Sequence, residues 1–171
     1  MTSYVVLLRA INVAGRNKIA MAELRDLLDE LGFGDVATYI QSGNIVCSSA
    51  KKPASVETSI KAGIAERFGH DIEVMARTGA QLGELVDAFP YPAADPKSSG
   101  VVFLSGSFTG QLDASKFAPD ECLPVGAEIF VNCPTRFAKT KLTAAWIEKQ
   151  TALAATRRNW ATVLKLADMI G

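Results

Sequence analysis

The chain is poor in the residues that most often carry chemistry. Its 171 residues include one histidine, His70, and three widely spaced cysteines, Cys47, Cys122 and Cys133. An odd number of scattered cysteines makes neither a disulfide framework nor a CxxC metal knuckle. With a single imidazole beside them, the soft ligands of a zinc centre are missing and no metal is expected. The thiols read as buried and reduced. His70 lies in Phe68-Gly69-His70-Asp71, a run of turn formers, and reads as a surface turn. The nucleophile elbow, the P-loop and the dinucleotide fingerprint are all absent, so no cofactor is expected. No apolar run approaches the roughly 20 residues that span a bilayer. The start, Met1-Thr2-Ser3-Tyr4, lacks the basic region of a signal peptide, so a cytoplasmic protein without membrane association is the expectation.

What remains is an ordinary globular composition, 49% hydrophobic and 21% charged, with zero net charge. The charges are unevenly placed. Residues 71–128 carry three basic against nine acidic side chains, whereas residues 136–165 carry seven basic against Glu148 alone. The segment from Arg9 to Lys18 adds three cations and no acid. Concentrated basic segments in a neutral chain give a local positive field without general polyanion binding.

The hydrophobic pattern predicts an α+β protein of two tandem subdomains, residues 1–90 and 91–171. Tyr4 to Leu8 reads as a strand, and Met21, Leu24, Leu27, Leu28 and Leu31 follow helical spacing up to Gly32. Val36 to Gln41 and Asn44 to Ser48 read as strands joined by Ser42-Gly43. A helix with Val56, Ile60, Ile64 and Phe68 follows, then a strand with Ile72, Val74 and Ala76. The order βαββαβ is that of a ferredoxin-like fold. Thr78-Gly79-Ala80-Gln81 has capping-box spacing, and Pro90 to Ser99 reads as a linker.

In the second half, Val101 to Leu104 reads as a strand and Gln111 to Phe117 as a weak helix. Glu121 to Leu123 and Glu128 to Asn132 read as a hairpin through Pro124-Val125-Gly126-Ala127. Helices around Leu142 to Trp146 and Val163 to Ile170 complete a related βαββαα unit, with a helix in place of the last strand.

This topology sharpens the acid-free loop. The loop after the first strand leaves the same sheet edge as the hairpin between the second and third. Arg9, Asn12, Arg16, Asn17 and Lys18 are therefore expected beside Gln41, Ser42, Gly43 and Asn44. The N-terminus of the first helix lies at that edge, and its free N–H groups favour an anion. Arginine supplies a planar fork and the amides orient a ligand. The competing reading makes the same residues turn formers with solvated cations. A second candidate runs from Thr135 through Lys139 and Lys141, followed by Thr156-Arg157-Arg158-Asn159-Trp160, with both stretches placed ahead of helices. There Trp160 reads as a core residue and Thr156 or Asn159 as a helix cap.

Four separated motifs carry a resemblance. The first is Leu7-Leu8-Arg9-x-Ile11-Asn12-Val13-x-Gly15-x-Asn17-Lys18-Ile19-x-Met21-x-x-Leu24, and the second is Tyr39-Ile40-Gln41-Ser42-Gly43-Asn44. Lys139-Thr140-Lys141-Leu142-Thr143 and Arg158-Asn159-Trp160-x-Thr162-Val163 follow. Together they resemble the uncharacterised bacterial family known as domain of unknown function 1697. The resemblance implies two small α+β subdomains, the first ferredoxin-like, and supplies no activity, ligand or cofactor. Ala14 stands where the family has a second glycine, and Arg157 departs from its Thr-Thr-Arg-Asn-Trp, leaving Arg158 as the matching arginine.

The leading expectation is a small anionic ligand, bearing phosphate or carboxylate, held by Arg9, Asn12, Lys18, Gln41, Ser42 and Asn44. Lys139, Lys141, Arg158 and Asn159 join them if the subdomains face each other. No nucleophile or general base stands out, so no reaction is assigned. Two alternatives are a nucleic-acid-binding module, against which the lack of an aromatic RNP-like cluster counts, and an interaction scaffold without a small-molecule site.

Overall fold

A computed structural model describes all 171 residues. The chain divides into two compact units, Met1–Glu84 with Leu166–Gly171, and Leu85–Lys165. No helix is long and apolar enough to cross a membrane.

The first unit runs β1 (Thr2–Leu8), α1 (Met21–Glu30), β2 (Gly34–Tyr39), β3 (Asn44–Ser49), α2 (Pro53–Phe68) and β4 (Val74–Thr78). Its antiparallel sheet has the order β2-β3-β1-β4. Strand alternation sends Tyr4, Val6 and Leu8 to one face, where Leu24, Leu27 and Leu28 of α1 and Val56, Ile60 and Ile64 of α2 close the core. Each fully buried aliphatic side chain contributes on the order of 1.5–3 kcal/mol. The intervening Val5 and Leu7 are also fully buried, so β1 reads as a continuous apolar run.

The second unit runs β5 (Ser99–Leu104), a single 3-10 turn (Ser115–Phe117), β6 (Glu121–Val125), β7 (Glu128–Asn132), α4 (Ala144–Thr151) and β8 (Ala155–Asn159). Its sheet order, β6-β7-β5-β8, repeats that of the first unit strand for strand. The registers match as well: Val5 faces Val46 and Arg77, and Val101 faces Phe130 and Arg158. Leu8 N–H donates to the Gly43 carbonyl and Leu104 N–H to that of Ala127, each at 2.9 Å. Both last strands pass directly into a helix, α3 (Gly79–Asp87) and α5 (Trp160–Ile170).

Four expectations are corrected. The last strand is not replaced by a helix: Ala155–Asn159 is β8. Its Thr-Arg-Arg-Asn run hides it, because an edge strand tolerates polar residues that alternation rules misread. The weak helix from Gln111 shrinks to the Ser115–Phe117 turn, which Asp113 opens by accepting the Ser115 N–H at 3.0 Å. The Ser42-Gly43 hairpin is a four-residue connection, since β2 stops at Tyr39 and Ile40 turns to a φ of 50°. Pro124 also lies within β6 rather than in the turn, at a sheet edge where a missing N–H is tolerated.

Candidate functional site

In the first unit the loop after β1 is built from backbone handedness. Ala10, Asn12, Ala14, Gly15 and Asn17 all have φ between 49° and 76°. Val13 and Arg16 pair as a bridge, and the Arg16 N–H donates to the Val13 carbonyl at 2.9 Å. With both central residues left-handed, Val13 to Arg16 form a type I′ turn, which favours glycine at each centre. Gly15 fits; Ala14 carries strain.

Asn12 is the staple of this loop. Its Nδ2 donates to the carbonyls of Ile19 (3.0 Å) and Gln41 (2.8 Å), and its Oδ1 accepts the Ile19 N–H at 2.9 Å. Asn17 Nδ2 donates to the Ala10 carbonyl at 3.1 Å. Asn44 is fully buried and donates to the Tyr39 carbonyl and to Ser42 Oγ. Gly43 lies so close to Leu8 that a Cβ there would come within 2.7 Å of the Leu8 Cβ. The amide of Asn12 is thus committed to holding the two loops together, and that of Asn44 to closing its own connection. Arg9 is half-buried at the end of β1, its N–H bonded to the Glu73 carbonyl at 3.0 Å.

Lys18 and Gln41 are exposed and share with Asn12 and Gly15 an open concavity of about 650 Å³. Ala20, Met21 and Glu23, at the start of α1, complete its wall. That helix has no side-chain cap, and the N–H groups of Ala14, Gly15 and Lys18 take part in no hydrogen bond within the chain. Glu23 is the one acid on the wall. His70 Nε2 reaches the Lys18 carbonyl at 3.2 Å and fixes the back of the loop.

In the second unit the segment after β7 is organised by a buried carboxylate. Asp120 is 5% exposed and accepts the Thr135 N–H at 3.2 Å, the Thr135 hydroxyl, and the Thr140 hydroxyl at 2.6 Å. Burial opposes its charge, but the Thr135 and Thr140 donors outweigh that and hold its pKa below the usual carboxylate range. Around it Lys116, Phe117, Thr135, Lys139, Thr140 and Lys141 line a cavity of about 390 Å³. Arg157 stacks on the Phe137 ring at 4.1 Å, and its buried Nη1 has no acceptor.

Arg158 and Asn159 are not part of this lining. Arg158 is 7% exposed and donates to Thr156 Oγ1 at 2.6 Å, and burial pulls its pKa down to about 10. Asn159 caps α5 through the Thr162 N–H at 2.8 Å. Trp160 is buried, stacked face to face on Phe89 at 3.7 Å.

Residues 1–130 match the family described as a protein of unknown function (DUF1697). The chain belongs to this family. No curated protein matches it. It is similar to the solved structure of the conserved bacterial protein SP0830 from Streptococcus pneumoniae, at 25% identity and a TM-score of 0.75 over 99% of both chains.

In this DUF1697 chain, residue type alone did not separate site from scaffold. Six of the expected residues, Arg9, Asn12, Lys18, Gln41, Ser42 and Asn44, belong to the first unit; Lys139, Lys141, Arg158 and Asn159 belong to the second. Thr135 and Thr140 lie within the second candidate stretch, but Asp120 and Lys116 stand outside it, and Asp120 is 15 and 20 residues from those partners. An acid next to Glu121 at the start of a strand carries no readable signal. The thiols are free; burial pushes Cys47 up to about 12, Cys122 up to about 11, and Cys133 upward as well. No three His, Cys, Asp or Glu side chains gather to hold a metal ion.

Proposed function

We propose that the protein binds a small anionic ligand, bearing phosphate or carboxylate, in the concavity of the first unit. The observation that carries this reading is the strained basic loop, whose Ala14, Gly15 and Lys18 N–H groups are left unused beside the uncapped start of α1. Turn backbone with left-handed residues leaves N–H groups free of the chain's own carbonyls, and such groups can receive an anion. Strain held at a loop by committed amides is the signature of a preorganised site. Lys18 supplies charge, and Gln41 orients. Glu23 accepts from a hydroxyl or amine on the same ligand, so a purely anionic molecule is a poorer fit than one carrying both.

The same reading takes the first unit as ferredoxin-like, on its βαββαβ order, and places the protein in the cytoplasm, on its three unpaired thiols.

Thermal shift with phosphate, sugar phosphates, nucleotides and hydroxy- or amino-carboxylates tests it. A ligand at 100 times its Kd stabilises wild type by about 2.7 kcal/mol, and Lys18→Ala loses most of that. If no compound stabilises wild type more than Lys18→Ala, the proposal fails.

A further inference from the structure

We infer that the second unit holds a separate phosphoryl-binding site, built by Lys116, Lys139 and Lys141 over the buried Asp120. It goes beyond the first-unit concavity and stands on different residues.

Three lysines line one cavity of about 390 Å³, and none of the three makes an ion pair. Like charges brought together without partners repel, and a fold that gathers them presents a positive field to a counter-charge. The one carboxylate among them does not neutralise them by pairing. Both Asp120 oxygens accept from Thr135 and Thr140. Asp120 instead shapes the segment: its bonds to Thr135 and Thr140 bracket Arg136 to Lys139 and set Lys139 and Lys141 on either side of Thr140. Arg157, which stacks on Phe137 and donates to its carbonyl, is not part of the lining. Lys116 enters from the 3-10 turn, its ammonium 5.1 Å from the Phe117 ring and 5.9 Å from that of Trp146. Asp113, outside the lining, also feels Lys116.

The lining charges select the ligand. Three ammonium groups against one carboxylate leave an excess of two positive charges, matching the roughly −1.5 to −2 of a phosphomonoester at neutral pH. Lysine binds phosphate as a point charge, and no arginine lines this cavity to add a bidentate fork. A volume near 390 Å³ admits a phosphorylated small molecule. Phe117 gives the organic part an apolar wall.

Isothermal titration with glycerol 2-phosphate, inorganic phosphate and malonate tests the assignment, on wild type, Lys139→Ala/Lys141→Ala and Lys18→Ala. The expected result is binding of both phosphates, weaker by tenfold or more in the double variant and retained at this site in Lys18→Ala, with malonate weaker than either. Amide resonances of Thr140 and Lys141 should move with the phosphates, which separates binding from any effect on folding. Equal affinity in wild type and the double variant, or malonate binding as tightly as phosphate, overturns the inference. Loss of first-unit binding in Lys18→Ala bears only on the first site.

Discussion

The two units share a register and differ in what covers it. In the first, α1 and α2, 10 and 16 residues long, cover one sheet face, and the loop ahead of α1 holds the basic turn. In the second, a single 3-10 turn stands in the position of α1, and α4 has 8 residues. The space is filled instead by Phe117 of that turn and by the loop side chains Phe108, Leu112 and Phe137, packed on the cluster of Val102, Leu104 and Val131. The same strand order therefore carries two kinds of candidate site. One is made from backbone N–H groups at a helix start, and the other from side chains hung on a buried carboxylate. Register fixes the frame, and the connections differ: the first candidate site uses the loop after β1, the second the connection after β5 together with the segment after β7.

The comparison breaks most severely at Gly100. It occupies the register position of Tyr4, yet a Cβ there would stand 2.1 Å from the Arg158 carbonyl oxygen. Gly100→Ala is expected to cost about 3 kcal/mol, the upper end of overpacking, read from denaturant midpoints. A cost under about 0.5 kcal/mol, no more than an ordinary surface substitution, would show that β5 and β8 are not so closely paired.

Asp120→Asn comes next, because it weakens the three bonds by which Asp120 holds Thr135 and Thr140 at the two ends of the lysine segment. The expected loss is about 2 kcal/mol at neutral pH. A carboxylate with a lowered folded pKa contributes fully above its unfolded value, about 3.9, and loses that contribution as pH falls through the folded pKa. The gap in stability between wild type and variant should accordingly shrink in melts taken below about pH 4. A gap that stays constant down to pH 2 would contradict the ionised carboxylate.

The strand-to-helix junctions allow a matched test. Thr78 and Gln81 form a reciprocal capping box, and Asn159 caps alone. Thr78→Ala and Asn159→Ala should each cost about 1 kcal/mol, and thermal melts that show one to be silent would undo the equivalence of the two junctions.

The smallest expected effect is a gain. Ala14→Gly relieves a left-handed alanine at φ 50° and should stabilise by roughly 0.5–1 kcal/mol. Destabilisation would mean that the turn is not type I′.

Much of the first unit was legible because its apolar spacing is clean. Leu24, Leu27 and Leu28 mark a helix, and the alternating Val74 and Ala76 mark a strand. The second unit hid its last strand behind Thr156-Arg157-Arg158-Asn159, and its 3-10 turn behind a passable helix pattern. At the site, the loop after β1 was visible as an acid-free cluster. Its amides were not separable from its ligand-facing groups, since Asn serves turns and sites alike; only the bonds of Asn12 to Ile19 and Gln41 decide that. Asp120 depended on contacts across 15 to 20 residues, which no local pattern encodes.

The most direct test of anion binding by the strained loop is an amide chemical-shift titration of the intact chain with the best compound from the thermal-shift panel. The account predicts saturable movement of the Ala14, Gly15 and Lys18 resonances, abolished in Lys18→Ala while the rest of the spectrum is kept. Resonances of that loop that stay still at saturating ligand, or move equally in the variant, would contradict it.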